Sequence, residues 1–325
     1  MIALDGRCNS WEHIFLYNLI MSKALMEENT LRRQAWKYWL VMAAWPVFLI
    51  LLPLVYGKNP LAAVIFILFP GAWLFTWLGL LMHESWHGYV PGLPNRVVFH
   101  VFGWMLLIDP QVFHLAHISH HKHANSYRDI EFYPFGRIHN RNIRRFYHLL
   151  QIFLGSIFTQ PMMGLGVMRH PQFSRKYSSL KGLASVFIWV FFIVSTGSVA
   201  LAISGIKPAE LVMLYVLAYW SGALFIHHNQ LMQHGNLIVN GDYEQRNRAT
   251  RNLNPNGLMA HIFLFFTHND ALEHVLHHTR PDLYNRPFPG KFSLPDKPVY
   301  INATDYPRVL YQMLVDVDPE VQAAD

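Results

Sequence analysis

Three short histidine patterns stand out in the chain: His83-Glu84-Ser85-Trp86-His87, His117-Ile118-Ser119-His120-His121 and His274-Val275-Leu276-His277-His278. On an α-helix, residues i, i+3 and i+4 project to one side, so each pattern offers a convergent set of imidazoles. His83 with His87, His117 with His120 and His121, and His274 with His277 and His278 make eight such rings, and His234 is a ninth candidate. One four- to six-coordinate ion cannot use so many, and two metals sharing the set is the economical reading. Imidazole suits zinc, copper, iron and nickel, so ligand type alone leaves the element open. Zinc has no redox chemistry of its own, and a site built almost wholly of neutral imidazole beneath a membrane better fits a dioxygen-using di-iron centre. Glu84, Asp129, Glu131, Asp270, Glu273 and Asp282 lie near the patterns and could accept the other ring N–H of ligating histidines.

The rest of the chain must bring these patterns together. It has 325 residues, 52% apolar and only 14% charged, against roughly 45–50% and 25% in ordinary soluble domains. A single cysteine, Cys8, excludes an intrachain disulfide framework and a cysteine-rich zinc ribbon. Four stretches free of Lys, Arg, Asp and Glu read as membrane-crossing helices: Tyr38 to Tyr56, Pro60 to Met82, Leu183 to Ile206 and Leu211 to Ile226. They form two hairpins, turning at Gly57-Lys58-Asn59-Pro60 and at Lys207-Pro208. Those turns hold only Lys58 and Lys207, and the remaining basic residues fall on the other side, which the positive-inside bias makes cytosolic. Both termini and all the histidine patterns are then expected in the cytosol, under the inner membrane if the cell is bacterial. Of the 20 histidines, 18 fall in His83 to His148 and His227 to His278, and both windows begin where a membrane helix ends.

Leu149 to Met168 is uncharged and 20 residues long but carries Gln151, Gly155, Gln160 and Pro161. If all three patterns build one centre, an even number of crossings must separate the second from the third. The Leu183–Ile226 hairpin supplies two, so Leu149 to Met168 reads as interfacial or re-entrant. Val97 to Ile108 and Gly257 to Thr267 are too short to span and read the same way. The first thirty residues lack the clean apolar core of a cleavable signal, and the apolar face of Ile14 to Met26 is expected to lie on the membrane. The expectation is an all-α integral membrane fold: four membrane helices in two hairpins, interfacial helices and a cytosolic helical cap. It forms a single domain over 1–325, with an N-terminal segment (1–36), a membrane and histidine core (37–290) and a polar cytosolic tail (291–325).

In order and spacing, the three patterns resemble the histidine boxes of the integral-membrane fatty-acid desaturase and hydroxylase superfamily, over roughly His83 to Arg286. His83-Glu-Ser-Trp-His87-Gly88 resembles the first box, His117-Ile-Ser-His-His121-Lys-His-Ala-Asn125 the second and Glu273-His-Val-Leu-His-His278 the third. The resemblance implies two irons (Fe2+/Fe3+) held by His83, His87, His117, His120, His121, His274, His277 and His278. A further ligand from the end of the fourth membrane helix resembles His234, with His227 and His228 competing for the role. The Asn that some members place four residues before that ligand is Gln230 here. It also implies O2 as co-substrate, hydrogen abstraction from an unactivated methylene of a fatty acyl chain, and lipid metabolism as the setting. The acyl chain is expected as free acid, coenzyme A ester, carrier-protein ester or membrane lipid. Electrons would come from a separate ferredoxin, rubredoxin or cytochrome, because the chain shows neither a nucleotide-binding Gly-rich loop after a strand nor a fused haem segment. Introduction of a carbon–carbon double bond is the expected outcome. Hydroxylase, ketolase, acetylenase or alkene-forming decarboxylase activity is the alternative within the superfamily.

Two other classes share part of this pattern. His83-Glu84-x-x-His87 is also the zinc-protease motif, which makes an intramembrane metalloprotease the alternative of a different class, but it leaves two histidine clusters unexplained. A metal carrier would be expected to place polar groups within its spans, and these spans carry no ionisable residue. His100, His139, His148 and His170 read as ordinary surface or packing residues. His114, His123 and His268 are candidates for an outer ring around the ligands or for a substrate entrance. The basic cluster Arg137, Arg141, Arg144 and Arg145 reads first as a cytosolic orientation signal and second as a phosphate dock.

Overall fold

The computed structural model describes residues 36–88, 90, 94–267, 272, 274–279, 298–315 and 320–323. Cys8, the face at Ile14 to Met26, His268, Asp270, Glu273, Asp282 and the first part of the tail lie outside the described residues.

Helix α1 (Trp36–Lys58) ends at Asn59, whose side chain accepts from the Leu61 and Ala62 amides at 3.0 and 3.1 Å. That cap starts α2 (Pro60–Phe66), with Pro60 in the first turn, where a missing N–H costs nothing. A π-helical turn, Ile67–Gly71, joins α2 to α3 (Ala72–His87) and makes one long span, Pro60–His87. Pro70 inside this turn has no N–H to offer the preceding turn, and widening the helix accommodates it.

α4 (Asn95–Met105) and α5 (Pro110–His123) fold back on each other at 109°. Asp109 caps α5 through the Gln111 amide at 2.8 Å, and Tyr219 donates to the Met105 carbonyl at 2.8 Å, which pins the elbow to the fourth span. The ambiguous stretch is two helices, α6 (Arg141–Leu154) and α7 (Ser156–Arg169), each too short to cross a bilayer. The break is Gly155, with φ +57°, where a Cβ would stand 2.5 Å from the Ala223 carbonyl oxygen; only glycine supplies both the conformation and the room.

After the short α8 (Pro171–Ser174) come the remaining spans, α9 (Ser179–Ser204) and α10 (Pro208–His234). Glu210 accepts from the Lys207 amide at 2.8 Å and Pro208 opens α10, so the expected second turn is present. The four spans, Trp39–Lys58, Pro60–His87, Ser179–Ser204 and Pro208–His234, match the expected four in order and position. The second and fourth run further toward the histidines than hydropathy marks, because helix hydrogen bonding continues through residues that leave the hydrocarbon. The two hairpins interleave: α9 packs chiefly on α1 and α10 on α3, while α9 and α10 splay apart.

Trp45 ties three spans together, with Phe48 at 5.3 Å, Phe75 at 5.5 Å and Tyr219 at 5.4 Å between ring centroids. In lipid the apolar outer face gains nothing by burial, so such packing rather than water exclusion joins the helices. α9 accordingly exposes Leu183, Phe187, Val190, Phe191 and Val194.

Beyond α10 lie β1 (Leu237–Asn240), α11 (Tyr243–Arg248), β2 (Arg251–Leu253), α12 (Leu258–Phe266), α13 (His274–Thr279), β3 (Val299–Ile301), α14 (Tyr306–Val315) and β4 (Glu320–Ala323). β1 pairs with β4 and β2 with β3, both parallel, small additions to an all-α membrane protein. The end of the chain packs onto the cap: Val309 and Met313 of α14 share a core with Ile152, Leu231 and Leu264. Arg141 and Arg145 both donate to the Val315 carbonyl, at 3.2 and 2.9 Å, and Arg144 to the Ile138 carbonyl at 3.3 Å. Arg141 and Arg145 therefore close the C-terminus of α14, where cations complement the helix dipole, while Arg137 lies over the Tyr127 ring.

Candidate metal centre

The last turn of α3 carries His83 and His87, α5 carries His117, His120 and His121, α10 ends on His234, and α13 carries His274, His277 and His278. These nine side chains sort into two adjoining groups. His83, His87, His117, His121 and His277 form one, His120, His234, His274 and His278 the other, and within each group one ring nitrogen per residue lies within 4.8 Å of all the others. Neighbours in sequence divide between the groups: His120 from His121, and His277 from His278. The His121 and His278 rings meet across the boundary at 5.1 Å.

The contacts inside each group are between Nε2 atoms. In the first, His87 and His117 are 3.3 Å apart, His121 and His117 3.1 Å, and His277 and His121 3.1 Å. In the second, His120 and His278 are 3.2 Å apart, His234 and His274 3.1 Å, and His278 and His234 3.3 Å. Nitrogens bound to one ion at roughly 2.0–2.1 Å would be spaced much like this.

The opposite ring nitrogens show why these edges face inward. His83 Nδ1 lies 3.1 Å from Glu84 Oε1, His117 Nδ1 3.1 Å from Glu131 Oε2, and His120 Nδ1 2.7 Å from Asp129 Oδ2. His234 Nδ1 lies 3.0 Å from Asn125 Oδ1 and His278 Nδ1 3.0 Å from Asn247 Oδ1. Each Asn amide is oriented by its own donations: Asn125 Nδ2 to the Arg246 carbonyl and Thr250 hydroxyl, and Asn247 Nδ2 to the Tyr243 carbonyl. All five partners are acceptors, so Nδ1 carries the proton and the Nε2 lone pair points inward. Lone pairs facing one another at about 3 Å in a buried site repel unless a cation lies between them. The residues therefore fit a pair of imidazole-bound metal ions.

Burial, then the neighbouring imidazoles, holds His117, His121, His277 and His278 well below the ordinary histidine pKa, so these rings are neutral and ready to ligate. At His120 burial also opposes the charge, but Asp129 and Glu131 outweigh it and raise the pKa. Burial pushes the Glu131 carboxyl up.

Three of the six expected carboxylate partners, Glu84, Asp129 and Glu131, take that role; the other three lie outside the described residues. Gln230 donates to Glu131 Oε1 at 3.0 Å and so steadies the acceptor of His117. His228 is occupied elsewhere, with the Ile152 carbonyl at 2.9 Å and the Tyr306 hydroxyl at 2.6 Å, and His227 joins neither group. Sequence reasoning missed Asn125 and Asn247 as partners. Asn125 could have been found, as it closes the second pattern; Asn247 stands 31 residues from His278 and carries no local signal.

Both groups border a cavity of about 60 Å³ lined also by Phe113, Phe132, Glu131, Gly79 and Ile226. Phe132 packs on His120 and His234, and Phe113 stacks on His117 at 5.1 Å, giving the ligands a dry wall. A second, lipid-side cavity of about 490 Å³ lies where α9 and α10 splay, lined by Phe75, Ile193, Tyr215, Tyr219 and Ala223. Gly79 and Gly222 lie along the α3–α10 seam that reaches both cavities, and their missing side chains admit Ile226 and Phe75.

A family model described as fatty acid desaturase matches residues 58–289, which take in every histidine of the two groups. No curated protein and no solved structure matches the chain.

Proposed function

The chain belongs to the fatty acid desaturase family, and from that premise we propose that it is a di-iron, O2-dependent enzyme placing a double bond in a fatty acyl chain. Membership makes it a membrane oxidoreductase of the desaturase and hydroxylase type. The observation that carries the metal-pair part of this reading is the division of nine histidines into two adjoining groups with Nε2 edges facing inward, and the double bond is chosen over hydroxylation as the commonest activity of the family.

The proposed ligands are His83, His87, His117, His121 and His277 for one ion and His120, His234, His274 and His278 for the other. When bound, the iron pair supplies the reduction of O2 and the oxidising power for breaking unactivated C–H bonds. The protein's own part is positioning. Glu84, Glu131, Asp129, Asn125 and Asn247 fix ring orientation and tautomer, and Phe113 and Phe132 exclude water. An acyl chain would reach the small cavity beside both groups from the lipid-side cavity by displacing Ile226 and Phe75, which fill the α3–α10 seam at Gly79 and Gly222, so that one methylene sits at the ligands. Replacing Ile226 with Trp should narrow that route and shift products toward shorter chains.

The histidines, both termini and the cap are assigned to the cytosol, in a bacterium under the inner membrane. Electrons are assigned to a separate ferredoxin, rubredoxin or cytochrome. The protease alternative lacks support, because Glu84, its required general base, is buried and bonded to His83 Nδ1. Expression in a membrane that supplies an electron donor, with mass spectrometry of lipids, free acids and volatile hydrocarbons, tests the reading. A new double bond and about two irons per chain are expected. Hydroxylated chains would move the assignment to the hydroxylase branch, and about one zinc would move it to the protease.

A further inference from the structure

The proposed chemistry consumes electrons that an external carrier must deliver, and one flank of α5 borders a cationic cleft. His114, Ile118 and Lys122 follow at four-residue spacing, beside the face that carries His117, His120 and His121. Ile118 and Lys122 line an open cleft of about 640 Å³ whose other walls include Arg128, Arg169 and Lys176, and no carboxylate among the described residues lines it. All four cations are exposed, and none forms an ion pair with a described carboxylate. His114 does not line the cleft but is exposed two turns before Lys122 on the same helix, close enough for the Lys176 charge to act on it. Gln111, one turn before it, exchanges two hydrogen bonds with Ser178, at 3.1 and 3.4 Å, which lays the segment carrying Lys176 against α5.

Behind this surface, Trp86 donates its indole N–H to Nδ1 of exposed His114 at 2.7 Å. The same indole packs on His87 at 4.6 Å and His117 at 4.7 Å, and lies parallel to His121 at 6.1 Å and 6°. One aromatic ring thus touches three of the five imidazoles of the first group and, through a single hydrogen bond, the protein surface.

We propose that the cationic cleft is the docking surface for an acidic electron-carrier protein, and that His114 and Trp86 form the conduit from that carrier to the five-imidazole group. The proposal rests on the iron-dependent oxidation above and adds where its electrons enter. Each docking passes one electron: the carrier's reduced centre is oxidised and one ferric ion of the pair becomes ferrous, with no bond made or broken in Trp86 or His114. A small phosphate-bearing ligand would use the same positive charge but would have no need of the Trp86–His114 path, which is why the carrier is favoured. Complementary charge raises association rates by roughly 10- to 1,000-fold and is screened by salt.

The test uses the iron-loaded full chain in zwitterionic nanodiscs and an acidic [2Fe–2S] ferredoxin as probe. Lys122→Glu, Arg169→Glu and Lys176→Glu combined should weaken ferredoxin binding by roughly tenfold or more at low salt and flatten its salt dependence. His114→Leu and Trp86→Leu should keep the wild-type Kd yet slow ferredoxin-driven reduction, while dithionite reduces every variant to the wild-type end point. His114→Leu alters an exposed residue, so it keeps the test valid should Trp86→Leu lose iron. Unchanged binding in the triple variant, or wild-type reduction rates in His114→Leu, would overturn the proposal. A raised KM for an acyl-CoA with ferredoxin binding unchanged would assign the cleft to a phosphate head group instead, which also overturns it. A wild-type sample showing no iron-dependent absorbance change even with dithionite would sink the di-iron reading itself.

Discussion

The two histidine groups share sequence neighbours but not surroundings. The first has five rings, three of them only half-buried, with Trp86 on one side and carboxylates behind His83 and His117. The second has four rings, all buried, and two of its outer nitrogens are held by neutral amides, Asn125 and Asn247. A single helix turn, His117 to His121, serves both. The comparison teaches that one imidazole cluster can present an accessible half and a sealed half by alternating which neighbour faces which way.

The largest effects should follow ligand removal. His277→Ala from the first group and His120→Ala from the second should each lower turnover by about two orders of magnitude or more and remove about one iron per chain, while His139→Ala changes neither. Iron-to-protein ratios and product yields measure this, and full turnover in His277→Ala would undo the five-ring group. Next comes Asn247→Ala, expected to weaken metal binding about 10- to 100-fold at the second group alone. Competition with a chelator would show one tight and one loosened ion, and equal loosening of both would erase the distinction.

The pH response should separate the groups as well. His120 keeps its proton to higher pH than an ordinary histidine, because Asp129 and Glu131 outweigh burial, whereas His117, His121 and His277 lose theirs well below that value. As pH falls, protons therefore compete first at His120, and the second group should release its metal at a higher pH than the first. Stepwise dialysis with metal analysis should show two releases, and a single one would contradict the assignment. The smallest effect is expected from Glu131→Gln, since the amide oxygen still accepts from His117 and only the charge is lost; a few-fold drop in activity should result. A loss beyond about 100-fold would mean that Glu131 does more than orient a ring.

Much of this arrangement was legible in the sequence because helical spacing is local information. His83 and His87, His117 to His121 and His274 to His278 had to share faces whatever the tertiary fold, and four uncharged runs read as spans, whereas the equally long Leu149 to Met168 needed its internal Gly155 to set it apart. The allocation of each ring to a group was not legible, since it depends on how α5 and α13 rotate against each other. Asn247 was hidden for a related reason: its link to His278 exists only once β1 and α11 return beneath the membrane helices. That Arg141 and Arg145 would meet the Val315 carbonyl was not legible either, because a charge cluster does not reveal which distant backbone will lie within reach. Gly155, by contrast, marked in sequence a break that the backbone required.

The wide turn at Ile67–Gly71 acts on the first box from a distance. It behaves as a phase shifter, absorbing an extra residue in the middle of a rod. Excising one residue there would swing His83 and His87 by about 100° around the rod's axis, out of step with α5 and α13, although every metal-binding side chain would still be in the chain. The outer half of that rod can therefore be tuned to its lipid neighbours and its inner half to the ions, as two separately indexed gears on one shaft.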